Sequence, residues 1–136
     1  MTVRSHEELR VWQRAMDLIA ATYTVIRLLP VEERFALGAQ LRRAATSIVA
    51  NISEGHARTH RKEFLQYLAI AHGSLTELQT LLAVAQRVGF VSPDDLALAR
   101  SLGDQVSRML TTMRARLGDP RLTHARRSTL DAYTPG

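Results

Sequence analysis

The sequence predicts an all-α fold, an antiparallel up-down bundle of four helices. Three observations predict it. Apolar residues recur at three-and-four spacing through most of the chain. No stretch alternates in the manner of a strand, and no glycine-rich phosphate loop interrupts the pattern. Stop and start signals cut the periodic sequence into four, and short connections between long helices favour antiparallel neighbours. The 136 residues suit one compact domain. The bundle is expected over residues 1–117 and a basic, flexible tail over 118–136.

The first helix is expected over roughly residues 7–29. Leu9, Trp12, Met16, Ile19, Tyr23 and Ile26 form one apolar stripe, and Val11, Ala15, Leu18, Thr22 and Val25 form a second beside it. Two stripes make this helix sticky over a wider arc than a lone bundle requires. Ser5 with Glu8 fits a capping box. Pro30 breaks the pattern and fits the first turn of the second helix, with Glu32 and Glu33 near the positive end of its dipole. That helix is expected to reach about Ser53, with Gly55 closing it in the left-handed conformation. Residues 56–62 form a short basic connection, and Thr59 is the expected cap of the third helix, over about 60–88. Phe64, Leu68, Ala71, Leu75, Leu78, Leu82 and Ala85 are its apolar stripe, and Gly89 ends it. Ser92-Pro93-Asp94-Asp95 supplies a cap, a proline at the first helical position and two acids in the first turn. The fourth helix carries Leu96, Ala99, Leu102, Val106, Met109, Met113 and Leu117, and Gly118-Asp119-Pro120 closes it.

The second helix carries the most informative pattern. Leu37, Leu41, Ala44, Ala45, Ile48, Val49 and Ile52 share one face. Gln40, Arg43, Ser47, Asn51 and Glu54 line up directly beside it at the same spacing. A narrow polar row next to small apolar residues reads as a ladder at a helix–helix contact, where each group needs a partner. The competing reading is an ordinary boundary stripe half in water. In an antiparallel hairpin Arg43 falls roughly level with residues 71–75, so Arg43 and Glu77 are within reach, and Asn51 and Ser74 are placed to add hydrogen bonds. The expected structural network is therefore Gln40, Arg43, Ser47, Asn51, Glu54, Ser74 and Glu77, fixing register or an oligomer interface.

Charge and cysteine content bound the function classes. The formal net charge is +5, and 17 of the 18 basic residues are Arg, with Lys62 the single Lys. Guanidinium groups suit phosphate and carboxylate forks, so an anionic partner is expected. A GC-rich genome would enrich Arg without any such selection. The absence of cysteine removes a disulfide framework and a thiolate metal site. The N-terminus has no apolar signal core, and no run approaches the roughly 18 apolar residues of a membrane span. A cytoplasmic protein with no membrane partner is the expectation.

The motifs in the first three helices resemble a known family. Leu9-x-Val11-Trp12-Gln13-x-Ala15 is followed by Gln40-Leu41-x-Arg43-Ala44-x-x-Ser47-Ile48-x-x-Asn51-Ile52-x-Glu54-Gly55 and by Phe64-Leu65-x-x-Leu68-x-x-Ala71-x-Gly73-Ser74-x-x-Glu77-Leu78. Together, over roughly Leu9 to Val91, they resemble the small four-helix-bundle proteins first met as reading frames in intervening sequences of bacterial 23S ribosomal RNA. The same superfamily includes the accessory variability determinant of diversity-generating retroelements. Ser53 departs from the Ala more usual before the Glu-Gly pair. The resemblance implies a bundle that assembles as a ring-like homopentamer with no known enzymatic activity. For the retroelement relatives it implies binding to nucleic acid and to a reverse transcriptase.

The candidate chemistry is sparse. No Glu-x-x-His pair of a di-iron bundle and no His-Glu-x-x-His motif is present. His56 and His60 flank a basic turn with no neighbouring acid in sequence to complete a metal site. Ser47, Ser74 and the histidines form no recognisable nucleophile–base arrangement. No catalytic, cofactor-binding or metal site is therefore expected. Arg58, Arg61 and Lys62 cluster in the connection, with Arg42 on the outer arc of the second helix. These four are the expected nucleic-acid contacts, repeated around a ring so that weak contacts sum. The aromatics fall on helical faces, which argues against a base-stacking platform. The reading is a non-enzymatic, homo-oligomeric RNA- or DNA-binding accessory protein. The alternative is an interaction scaffold whose partner, such as a reverse transcriptase, holds most of the nucleic acid.

Overall fold

Local sequence sets where each helix begins and ends in the computed structural model, which describes residues 6–122. The elements are α1 (His6–Leu28), α2 (Leu37–His56), α3 (Arg61–Arg87) and α4 (Pro93–Arg116), with a short 3-10 turn at Val31–Glu33 between the first two. Ser92 starts α4 with the expected box: its hydroxyl accepts from the Asp95 N–H at 3.1 Å, and the Asp95 carboxylate accepts from the Ser92 N–H at 2.8 Å. Gly89 and Gly118 follow α3 and α4 at φ +86° and +72°, a conformation open to glycine at little cost.

Three local expectations are corrected. The second helix does not start at Pro30. Proline disfavours helical geometry in the residue before it, and the chain makes its 3-10 turn before α2 begins at Leu37. The Arg34 side chain reaches back to the Arg27 and Leu29 carbonyls at 3.0 and 3.4 Å, so a guanidinium closes the end of α1. Thr59 is not the cap of α3; His60 occupies that position without a side-chain cap bond. Gly55 is not a left-handed terminator, because α2 continues through it to His56. A Cβ at Gly55 would lie 3.0 Å from Tyr67 Cβ and 3.1 Å from Phe64 Cδ2. The glycine lets α3 approach α2. Ser5 of the expected capping box lies outside the described residues, as do 123–136 of the expected tail.

Side-chain contacts give every seam an antiparallel sense. Trp12 Nε1 donates to Ser53 Oγ at 3.2 Å across α1 and α2. Ser47 and Ser74 hydroxyls meet at 2.8 Å across α2 and α3. His72 meets Ser107 at 3.2 Å across α3 and α4, and Glu7 pairs with Arg116 across α1 and α4. The four helices form an all-α bundle with no strand among the described residues.

The core follows the expected stripes in α2, α3 and α4, and adds Leu65, Gly103 and Leu110, all buried. In α1 the structure distinguishes the two stripes. Val11, Ala15, Leu18 and Val25 are at most 1% exposed and form the core side. Thr22 joins them because its hydroxyl donates to the Leu18 carbonyl at 2.8 Å, which satisfies it locally. Of the stripe from Leu9 to Ile26, Ile26 is buried. Trp12 and Ile19 are half-buried at the α1 boundary, and Met16 is 41% exposed. Among the described residues α3 alone is long and apolar enough to cross a membrane by length and composition. Its apolar stripe from Phe64 to Ala85 is turned into the core.

Gly55→Val places branched carbons where α3 already touches the helix. Overpacking of this kind costs about 1–3 kcal/mol, so the variant is expected to melt several degrees below the wild type. An unchanged melting temperature would show that the helices part without cost.

Candidate nucleic-acid interface

One end of the bundle gathers the start of α1, the α2–α3 turn and the end of α4. Arg58, Arg61 and Lys62 come from the turn, and Arg114, Arg116 and Arg121 join them from the α4 side. Their availability differs. Arg58 lies over the Tyr67 ring, 4.8 Å from its centroid, and its Nη2 donates to the Tyr67 hydroxyl at 2.8 Å and to Glu54 at 3.1 Å. Its Nε is buried without a hydrogen-bond partner among the described residues. Arg61 donates through Nη1 to the Leu117 carbonyl and so ties the turn to the end of α4. Arg116 pairs with Glu7 but keeps 63% of its side chain exposed, and Lys62 is exposed at the first turn of α3.

Arg42 does not join this cluster. It lies 16 residues before Arg58, about 24 Å along α2 at 1.5 Å per residue. It is half-buried, and its Nη2 donates to the Arg34 carbonyl at 3.0 Å. Of the four expected phosphate contacts, Arg42 and Arg58 are half-buried and bonded within the chain, Arg61 is exposed with one nitrogen on the Leu117 carbonyl, and Lys62 is exposed. Sequence reasoning passed over Arg116 and Arg121. Arg116 ends α4 and Arg121 follows it, and antiparallel pairing brings the end of α4 to the same end as the turn.

Asp119 anchors the α4 side. Its side chain is fully buried, accepts from Arg114 Nε at 2.8 Å and from Arg121 Nε at 3.0 Å, and also takes the Arg121 N–H at 3.1 Å. Burial alone would raise its pKa, but the hydrogen bonds from Arg114 and Arg121 outweigh this and hold it below the usual carboxylate value. Arg114 also donates to His72 Nδ1 at 3.0 Å. A guanidinium cannot accept, so the His72 proton sits on Nε2 and points to Ser107 Oγ. In that tautomer the ring cannot take a proton from Ser107. Burial lowers the His72 pKa, and the Arg114 charge lowers it further.

A second polar cluster lies beside α1. His56 Nδ1 stands 3.7 Å from Glu8 Oε2, both side chains at most 10% exposed, so the acid beside His56 comes from α1, while its sequence neighbour Glu54 pairs with Arg58. Glu8 also lines an open cleft of about 370 Å³ with Glu7, Thr59, Arg61, Phe64 and Arg116. No group of three or more potential metal ligands occurs among the described residues.

The polar row on α2 divides. Ser47 Oγ bonds Ser74 and accepts from Asn51 Nδ2 at 3.1 Å, while the same amide reaches the Ser47 carbonyl at 2.8 Å. These three are half-buried in the α2–α3 seam. Gln40, Arg43, Glu54 and Glu77 are exposed. The expected Arg43–Glu77 contact is not among the ion pairs of the described residues, although the Ser47–Ser74 register sets Arg43 level with residues 77–78.

The family model for the 23S rRNA-intervening sequence protein matches residues 7–112. The chain belongs to that family. A solved structure from Bacteroides thetaiotaomicron, described as a protein of unknown function from the S23 ribosomal protein family, is similar in fold. It has a TM-score of 0.73 and 20% identity, covering 79% of this chain and 96% of that one. No curated protein matches this chain.

Two acid-sensitive contributions meet at α4. An unfolded histidine titrates near pH 6.5. The lowered folded value of His72 therefore makes stability full above about 6.5 and reduces it as pH falls through the folded value. Asp119 contributes stability above the usual carboxylate range that is lost as pH falls through its lower folded value. Thermal melts from pH 7.5 to 3 should show both declines. Asp119→Asn should cost about 3 kcal/mol at neutral pH by stranding buried Arg114. A melting temperature independent of pH, or untouched by that substitution, would contradict this account.

Proposed function

We propose that this member of the 23S rRNA-intervening sequence protein family is a non-enzymatic, homo-oligomeric accessory protein. In this reading it binds RNA through the basic end of its bundle. The observation that carries the reading is the convergence of cations there. Lys62 is exposed at the first turn of α3, Arg116 is exposed on the lining of the open cleft, and the Arg121 side chain is 49% exposed just after α4. The net charge of +5 favours an anionic partner overall. Few contacts come from one copy, so useful affinity requires several copies in one assembly, for which the ring-like pentamer implied by the family resemblance is the model. Phosphate contacts position without reading sequence, so selectivity should be low.

The opposite end favours the second reading, an interaction scaffold for a protein partner such as a reverse transcriptase. Phe35 is 83% exposed there, with Val31 at 64% and Leu28 at 49%. Apolar groups left in water at one end are suited to a protein contact, not to phosphate.

Titration of labelled structured RNA at low and moderate salt tests the first reading. Affinity is expected to fall linearly in log–log form with salt. The Lys62→Glu, Arg116→Glu variant should lose affinity and reduce the salt slope by about 1 for each phosphate contact removed. An oligomer that ignores RNA even at low salt would overturn direct binding and leave the scaffold reading.

A further inference from the structure

The face of α2 and α3 that turns away from the core carries charged groups that form no ion pair among the described residues. The Ser47–Ser74 hydroxyl bond sets the register of the two helices. Antiparallel pairing from that point puts Arg43 beside Glu77 and Asn51 level with Ile70. Arg43 and Glu77 are both exposed, and neither forms an ion pair within the described residues. Ile70 and Val84, 44% and 42% exposed, lie on the same line of α3 as Glu77, seven residues to either side. Gly73 sits between Ile70 and Glu77. A Cβ there would meet nothing within 4 Å among the described residues, so none of their contacts requires glycine. Glycine in a helix interior costs about 1 kcal/mol relative to alanine. Its use here fits a surface that another backbone approaches closely.

We infer that this outer face of α2 and α3 is the contact between copies of the chain, with Arg43 of one copy against Glu77 of the next. The occupant is a second copy because the face presents one guanidinium and one carboxylate at the same level, together with apolar groups. The Arg43 edge of one copy meets the Glu77 edge of the next, the head-to-tail contact that a closed ring uses. A nucleic acid would meet Arg43 and be repelled by Glu77, and it has no use for Ile70 and Val84. This assigns the polar row to assembly and leaves the basic end open to RNA. The inference rests on the homo-oligomeric part of the function proposed above and commits it to one surface.

Light-scattering mass across a dilution series tests it on the wild type, Gly73→Leu, Arg43→Glu, Glu77→Arg and the Arg43→Glu, Glu77→Arg exchange, with helix content followed by circular dichroism. The wild type is expected to be an oligomer. Each single variant should keep its helix content and raise the dissociation concentration about tenfold or more, and the exchange should restore assembly. A monomeric wild type would sink both the oligomeric reading and this inference. An oligomeric wild type whose mass is unmoved by Gly73→Leu and by both reversals would overturn the assigned face alone. Loss of helix in the single variants would overturn it as well, by making the face part of the monomer's own fold.

Discussion

The close approach of α2 to α3 is the constraint on which the rest of the structure depends. Gly55 removes the side chain that would otherwise strike Tyr67 and Phe64. Ala44, Ala45 and Ala71 keep the interior of the bundle narrow, and the paired Ser47 and Ser74 hydroxyls satisfy each other in the seam. This seam fixes the register of the two helices. Register in turn decides which polar residues meet, which face outward, and where the α2–α3 turn stands relative to the ends of α1 and α4. A looser seam would move the basic turn away from Leu117, whose carbonyl Arg61 holds.

Charge at the basic end serves two purposes at once. Arg58 and Arg61 close the turn, Arg114 and Asp119 close α4, and Lys62, Arg116 and Arg121 extend from that frame. An arginine fixed over an aromatic ring and bonded to its hydroxyl has little freedom to reach a phosphate. Counting basic residues in a loop therefore overstates its binding surface. The committed arginines hold the remaining cations in place, which lowers the ordering cost of any contact they make.

Most of the fold was legible because periodicity and caps are local. The α4 start at Ser92, the stop at Gly89 and the core stripe of α3 follow from neighbouring residues alone. What was not legible depends on what packs against each element. Two apolar stripes on α1 are equivalent in sequence, and only the positions of α2 and α4 decide that Val11 to Val25 face the core. Gly55 reads as a terminator until α3 is placed against it. At the site, Tyr67 gives no sign in sequence, nine residues from Arg58, that it will take the guanidinium. Asp119 lay in a segment read as tail, where Arg114 and Arg121 hold it, and Arg116 lay at the end of the fourth helix with nothing nearby in sequence to announce its partner Glu7 on α1.

The measurement that bears most directly on the central claim is photocrosslinking of the assembled full-length protein to a structured RNA, with the crosslinked peptides identified by mass spectrometry. The account predicts adducts on the peptides of the α2–α3 turn and the end of α4, around Lys62 and Arg116, that disappear at moderate salt. Adducts concentrated on the outer face of α2 and α3, around Arg43 and Gly73, would contradict it, because that face would then carry the nucleic acid instead of the contact between copies.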